Sequence, residues 1–390
     1  MDDQSSSFDE SSSSSDDSFL LELVNDIIMD DCSLFIAQHA KPKIVMKPKQ
    51  AITKSNYWYE VFPVLTDSAF KGRYRRSRES FMALASELYK PEYYPSEDQW
   101  LKTFAITVDY LCTGCRIQDL VILYDVSQGK AHQDINACLD FIIGNWLPVV
   151  RTWPTETERG QLAALNWKRY KMPMCVGAID GTLVKIKGFQ PNRQELNSRK
   201  NHFAFNVLLI CDFYGSIRYY VCDAPGSMAD VSVYEETQLY NNINEYLCNS
   251  NRPTHPYYLI SDKGIPNSDY IVTPFPDNGK LTTQQLKFNH YLQSARSIIE
   301  RVNGILKQRY QILNGTMVAV HELKAKQIIK ACIALYNDEI KRGDLVLYSQ
   351  ETVLDDGSVL EMMHEYYQSP FIDEFSGSRE FLYEFIMRQI

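Results

Sequence analysis

Past residue 172 the apolar residues stop recurring at helical spacing and gather into short unbroken runs, and two of those runs end on an aspartate. Met174-Cys175-Val176-Gly177-Ala178-Ile179 leads into Asp180, and Tyr257-Tyr258-Leu259-Ile260-Ser261 leads into Asp262. Apolar runs this short read as buried strands. A carboxylate at the tip of such a strand is costly to bury unpaired, so its position points to chemistry or metal. A third acid, Glu300, lies on a helix predicted over 282–312. The apolar positions of that helix, Phe288, Leu292, Ala295, Ile299, Val302 and Leu306, recur by fours and threes and make one buried stripe. Glu300 stands beside the stripe and leans toward the sheet. Two strand-end aspartates and one helix glutamate make a hard-oxygen donor set suited to Mg²⁺ or Mn²⁺. Two such ions clamp the attacking and leaving oxygens of a phosphodiester.

The order of the remaining runs sets a topology. Strand one covers 174–180 and continues through Val184 to Ile186. Phe205 to Cys211 is strand two, Asp212-Phe-Tyr-Gly215 a hairpin turn, and Ile217 to Cys222 strand three. A helix is predicted over 230–247, strand four over 257–261 and strand five over 270–274. A strand with a hairpin beside it, then a helix, then a fourth strand, is the order of a ribonuclease-H-like fold. Strands one and four are neighbours there, which would set Asp180 beside Asp262. The fold class expected is α+β (α/β): a helical N-terminal domain followed by this catalytic domain.

Residues 56–170 read as the helical domain. A helix is expected from Tyr74-Arg75-Arg76-Ser77-Arg78-Glu79-Ser80-Phe81 through Leu88 and Tyr89, its basic start either touching phosphate or forming a solvated face. A second follows from Trp100 to Tyr110. Ile117–Tyr124, the turn Asp125-Val126-Ser127 and Gln128–Ile143 then read as a helix-turn-helix, with Ser127 as the cap. A recognition helix offers its first turn to base edges, here Gln128, Lys130, Ala131, His132 and Gln133. A plain helical cap on the bundle fits the same spacing.

Of the 390 residues, 45% are apolar and 23% charged, as in an ordinary globular chain, with no run long enough to span a membrane. The net charge of −9 is unevenly placed. Residues 1–31 carry ten acids and no Lys or Arg, and residues 338–390 carry twelve acids against four bases. Subtracting both ends leaves residues 32–337 at +9, a basic body able to hold a phosphate backbone. The ends would otherwise serve only solubility. Residues 1–18 are Ser and acid with little to bury. Residues 19–38 have helical spacing, and Lys41 to Lys54 form a Pro-punctuated basic stretch of the nuclear-localisation kind, so 1–55 is set apart as tail and linker. Residues 338–390 are read as an acidic tail. The nine cysteines are scattered, several inside apolar runs, and read as reduced core thiols. Cys112-Thr-Gly-Cys115 has metal-like spacing but no second pair nearby.

Gly177-Ala-Ile-Asp-Gly-Thr-Leu-Val-Lys-Ile186 resembles the first-aspartate motif of PIF/Harbinger transposases of the DDE_Tnp_4 type. The resemblance continues in order through Ser198-Arg-Lys200, Phe205-Asn206-Val207, Pro225-Gly-Ser227 with Asp230, Ser261-Asp-Lys-Gly-Ile-Pro266, Phe288-Asn289, Ser294-Ala-Arg296, Ile299-Glu300 and Leu306-Lys-Gln-Arg309. It covers roughly 70–337. Leu183 stands where the family often has His, and Gln128-Gly129-Lys130 replaces a hydroxyl-rich helix start. The resemblance implies that Asp180, Asp262 and Glu300 bind two divalent cations in a DDE nuclease that hydrolyses one DNA strand. A transposase then joins the freed 3′-OH to target DNA. Asp230 is read first as the cap of its helix and second as a neighbour of the site. Arg296 and Lys307 either contact DNA phosphate or form an ion-paired helix face. The partners implied are double-stranded DNA and a Myb/SANT-like protein, with a homo-oligomer left open, and the compartment is the nucleus. Two other classes fit the same chain: a DNA-binding regulator without cleavage, and a ribonuclease-H-like scaffold, against which the intact acid set speaks.

Overall fold

The computed structural model describes residues 55–187, 203–250, 256–318, 321–347 and 379–389. The Ser/acid segment, the basic linker, Ser198-Arg-Lys200 and most of the acidic C-terminal stretch lie outside these residues.

The chain opens with short helices, each begun by the hydroxyl residue its sequence offers. Thr66 caps α1 (Asp67–Tyr74) by accepting from the amide of Ala69, and Ser77 caps α2 (Arg78–Leu88) through the amide of Ser80. The helix expected from Tyr74 starts only at Arg78, and Tyr74 instead closes the helix before it. Arg75 takes a left-handed conformation (φ 62°) and turns the chain between them. Ser96 caps α3 (Glu97–Thr113), which ends on Gly114. Next come α4 (Ile117–Tyr124) and α5 (Gln128–Phe141), where the Ser127 hydroxyl accepts from the Lys130 amide. Leu120, Tyr124, Ile135, Cys138, Leu139 and Ile142 are fully or nearly fully buried between them and their neighbours. A short α6 (Leu147–Val150) and α7 (Glu156–Tyr170), with a Thr155/Glu158 capping box, lead to the sheet.

The strands are β1 (Cys175–Lys187), β2 (Ala204–Cys211), β3 (Ile217–Pro225), β4 (Tyr258–Ile260), β5 (Ile271–Val272) and β6 (Met317–Val318). Their order is β3-β2-β1-β4-β5, with β6 pairing the far end of β1 at Ile186 and Lys187. β2 is antiparallel to both β1 and β3; β4 and β5 run parallel to β1 and to each other. All eight residues of β2 are buried, which is why its sequence shows no alternation. The chain is thus a mixed α/β fold, with β1 and β4 side by side as their order in the sequence suggested.

The helix expected over 230–247 is instead three short ones: α8 (Asp230–Glu235), α9 (Gln238–Asn241) and α10 (Ile243–Tyr246). Thr237 breaks the first. Its backbone is extended, and its hydroxyl serves both the Tyr234 carbonyl and the Tyr240 amide. α11 (Thr283–Arg309) starts at a Thr282/Gln285 capping box and buries Phe288, Leu292, Ala295, Ile299, Val302 and Leu306. It stops at Tyr310, after which come α12 (Gln311–Asn314), α13 (Glu322–Lys341) and α14 (Arg379–Gln389).

One hydrophobic cluster runs from Tyr57 to Ile386 and includes helices and sheet alike. Arg76 lies inside it with no exposed surface. Its guanidinium donates to Asp338 at 2.7 Å and to the Leu335 carbonyl at 3.1 Å, and it lies 3.6 Å from Glu339. This corrects two readings. Arg76 is no phosphate contact, because its charge is spent inside the fold. Asp338 and Glu339 are not tail but the last buried turns of α13, where they answer Arg76, Arg309 and Arg342. Leu382 and Ile386 of α14 are likewise buried. Eight described cysteines are free thiols, and the Cys112 thiol donates to the Tyr74 carbonyl.

Candidate carboxylate site beside β1 and β4

Ala178 of β1 stands opposite Ile260 of β4 in the parallel register. Two residues further on, Asp180 lies within β1 and Asp262 just past the end of β4, near enough for its charge to act on Asp180. The Asp180 side chain keeps 18% of its surface. Asn303, on α11, donates Nδ2 to its Oδ2 at 2.8 Å, and Arg296 Nη1 stands 3.9 Å from its Oδ1. Asp262 is turned in place by the Gly264 amide, which donates to Oδ1 at 2.7 Å.

Asp230 joins them. It does not cap α8, whose cap residue is Ala229 and carries no side-chain bond. Asn206 of β2 donates Nδ2 to Asp230 Oδ1 at 2.7 Å and aims that carboxylate at β1. A Cβ on Gly181 would come 2.2 Å from the same oxygen. Glycine follows Asp180 because any side chain there would displace Asp230. A Cβ on Gly264 would meet Asp262 Oδ1 at 2.8 Å and Asp230 Oδ2 at 3.5 Å, which puts these two carboxylates on one side of that glycine.

Burial pushes the Asp180 carboxyl up to about 6; Arg296 opposes the rise, and the charges of Asp262, Asp230 and Glu300 add to it. The other three acids therefore all act on Asp180. Glu300 is the least committed. Its side chain is 48% exposed and pairs with Arg296, with Gln293 Nε2 at 3.3 Å. Among the described residues no three acidic, His or Cys side chains are drawn together as a finished metal-ligand set. The donors are nonetheless oxygens alone, the chemistry of a hard cation.

The other sequence candidates divide. Arg296 and Lys307 spend their charge inside the fold: Arg296 on Glu300 and Asp180, Lys307 on Thr182 Oγ1 at 2.6 Å and the Leu183 carbonyl at 2.8 Å. Lys307 thereby ties α11 to β1 just past Asp180. On α5, Gln128, His132 and Gln133 are exposed, and Lys130 pairs with Asp134 at 2.6 Å. Ala131 is fully buried and faces the core, not a base edge. The sequence gives no role to Asn206, quoted only within the Phe205–Val207 motif, or to Asn303. Their signal was a carboxamide at a core position, one in a fully buried strand and one beside the apolar stripe of α11.

A cluster of acids set beside two adjacent parallel strands of a mixed α/β sheet defines the class of site. Residues 179–337, which hold all four acids, match the family described as DDE superfamily endonuclease. The chain is 26% identical over 178 residues to "Putative nuclease HARBI1" of Rattus norvegicus, covering 44% of this chain and 48% of that protein; the Homo sapiens protein of that name gives the same figures. It is 27% identical over 210 residues to "Protein ALP1-like" of Arabidopsis thaliana, covering 51% and 50%. The chain thus spans about half the length of the curated relatives it matches. No solved structure matches it. Over residues 179–337 the chain is thus similar to the DDE superfamily endonucleases.

Proposed function

We propose that the chain is a divalent-metal-dependent DNA endonuclease of the DDE transposase type. The observation that carries the reading is that Asp262, Asp230 and Glu300 all bear on Asp180 within the family-matched segment, adding to the burial that raises its carboxyl to about 6. Such crowding is unfavourable without a cation and favourable with one. Asp180 and Asp262 would hold Mg²⁺ or Mn²⁺, with Asp230 beside them. Glu300 would join by exchanging Arg296 for the metal. A cation bound there stabilises charge on the phosphate and lowers the pKa of water. The protein's own part is positional. Asn303, Asn206 and the Gly264 amide each fix one carboxylate, and Lys307 holds the Glu300 helix against β1. The strand order, with its acids on adjacent parallel strands, supports a ribonuclease-H-like reading of this domain. Joining of 3′-OH ends, a Myb/SANT-like partner, nuclear residence and DNA contact through α4 and α5 complete the proposal. The exposed Gln128, His132 and Gln133 support the last of these.

The test is nicking of duplex DNA with Mg²⁺ or Mn²⁺, with and without a Myb-like partner. Glu300→Gln keeps the shape and removes one charge. Cleavage should fall by at least about a hundredfold, because metal supplies both nucleophile and charge stabilisation. Stability should move by less than about 1 kcal/mol, since the side chain is half exposed. Equal nicking by the folded variant would remove Glu300 from the site. The Glu300–Arg296 pair also suits a DNA-binding regulator, and that reading takes over if wild type never nicks.

A further inference from the structure

Asn303 is buried, with 8% of its surface exposed, yet only half of its carboxamide is used. Nδ2 donates to Asp180 Oδ2 at 2.8 Å. An ionised carboxylate only accepts, so this bond settles which end of the amide faces it. Oδ1 is consequently turned the other way and meets no donor among the described residues. A buried carbonyl oxygen left unpaired destabilises a fold by roughly 1–3 kcal/mol. A residue kept for packing alone would be served better by leucine, which fits the apolar stripe of Val302 and Leu306 on the same helix. Asn303 also sits one turn past Glu300, so a single stretch of α11 touches the site at both positions.

Resting on the metal-dependent reading above, we propose that Asn303 is a positioning residue of the cation site. It binds Asp180 through Oδ2, which leaves Asp180 Oδ1, now 3.9 Å from Arg296 Nη1, as the oxygen for a divalent cation. Outer partners of this kind orient ligands of the cation, and losing one typically weakens metal binding about 10–100-fold.

The experiment titrates Mn²⁺ alone into the full chain, by calorimetry and by the electron paramagnetic resonance of the ion. Wild type is compared with Asn303→Leu, Asn303→Ser and Asp180→Asn. Asp180→Asn should lose binding. Asn303→Leu should bind at least about tenfold more weakly with a changed Mn²⁺ spectrum, while its metal-free Tm stays level or rises because an orphaned polar group has gone. Asn303→Ser keeps a donor and should fall between, and it decides the matter if the leucine variant does not fold. Wild-type affinity in Asn303→Leu, alongside loss in Asp180→Asn, would overturn the role of Asn303 and leave the metal site standing. A lowered metal-free Tm with unchanged Mn²⁺ affinity would show a structural residue only. Failure of wild type itself to take Mn²⁺ would remove the parent reading and this one together.

Discussion

Asp180 is the residue where the chain's two demands conflict. Its strand is buried, which favours a neutral side chain, and its neighbours are acids, which favours the same. A carboxyl whose folded pKa is raised binds more protons folded than unfolded between the two values. Stability contributed by the neutral form is therefore present at low pH and lost as pH rises from the ordinary carboxylate range to about 6. In the metal-free protein this loss should be on the order of 2–3 kcal/mol for a side chain so little exposed. Asp180→Asn cannot ionise and should escape it. Denaturant unfolding with EDTA at pH 4 and pH 7 should show wild type losing ground to the variant at the higher pH; parallel behaviour would mean that neither burial nor its acidic neighbours raise the Asp180 carboxyl. Asp180, Asp262 and Glu300 were legible because each ends an apolar run or borders an apolar stripe. Asp230 was legible only as the second of two readings, since an acid in the first turn of a helix looks like a cap. Only the fold shows Asn206 turning it toward Gly181 instead.

Elements show the same division. β1, β2, β4 and α11 could be read because burial on both faces, or on one stripe, leaves a pattern in the residues themselves. The breaks at Arg75 and Thr237 could not, because each depends on one residue leaving helical geometry inside a helix-compatible stretch. Pairing across long separations is invisible in local charge counts, and α13 is the case with consequences. Asp338 accepts from Arg76 and Arg342 and from the Trp146 indole at 3.0 Å, while Glu339 accepts from the Tyr310 hydroxyl at 2.7 Å and faces Arg309. Removing one partner leaves a buried guanidinium unanswered. Asp338→Ala should cost about 3–5 kcal/mol, measured by denaturant unfolding. Exposed acids of the same helix offer the control: Glu322→Ala, whose pair with Lys326 is partly solvated, should cost under about 1 kcal/mol. Similar losses in the two variants would mean that burial gives the Arg76 pair no special weight.

For the molecule as a whole, charge matters through its placement. Ten acids without a base precede residue 32, and the body that follows, through residue 337, carries +9. Within that body several cations are already committed: Arg76 and Arg309 to acids of α13, Lys307 to β1 and Arg296 to the carboxylate site. The charge free to meet a phosphate backbone is smaller than the count implies, so a tail of −10 competes with it on nearly equal terms. Removing residues 1–31 should therefore tighten non-specific binding to duplex DNA several-fold at about 50 mM salt, a gain that fades as screening shortens the reach of the tail. The fold should be unaffected, because the described core begins at Tyr57. Fluorescence anisotropy of a labelled duplex across a salt series would read both effects, with the two chains converging by about 0.5 M. Equal affinity at every salt would mean that the acidic segment never approaches the DNA-binding face. Weaker binding by the shortened chain would mean that the tail itself makes contacts, and its ten acids would then need a basic partner surface to explain them.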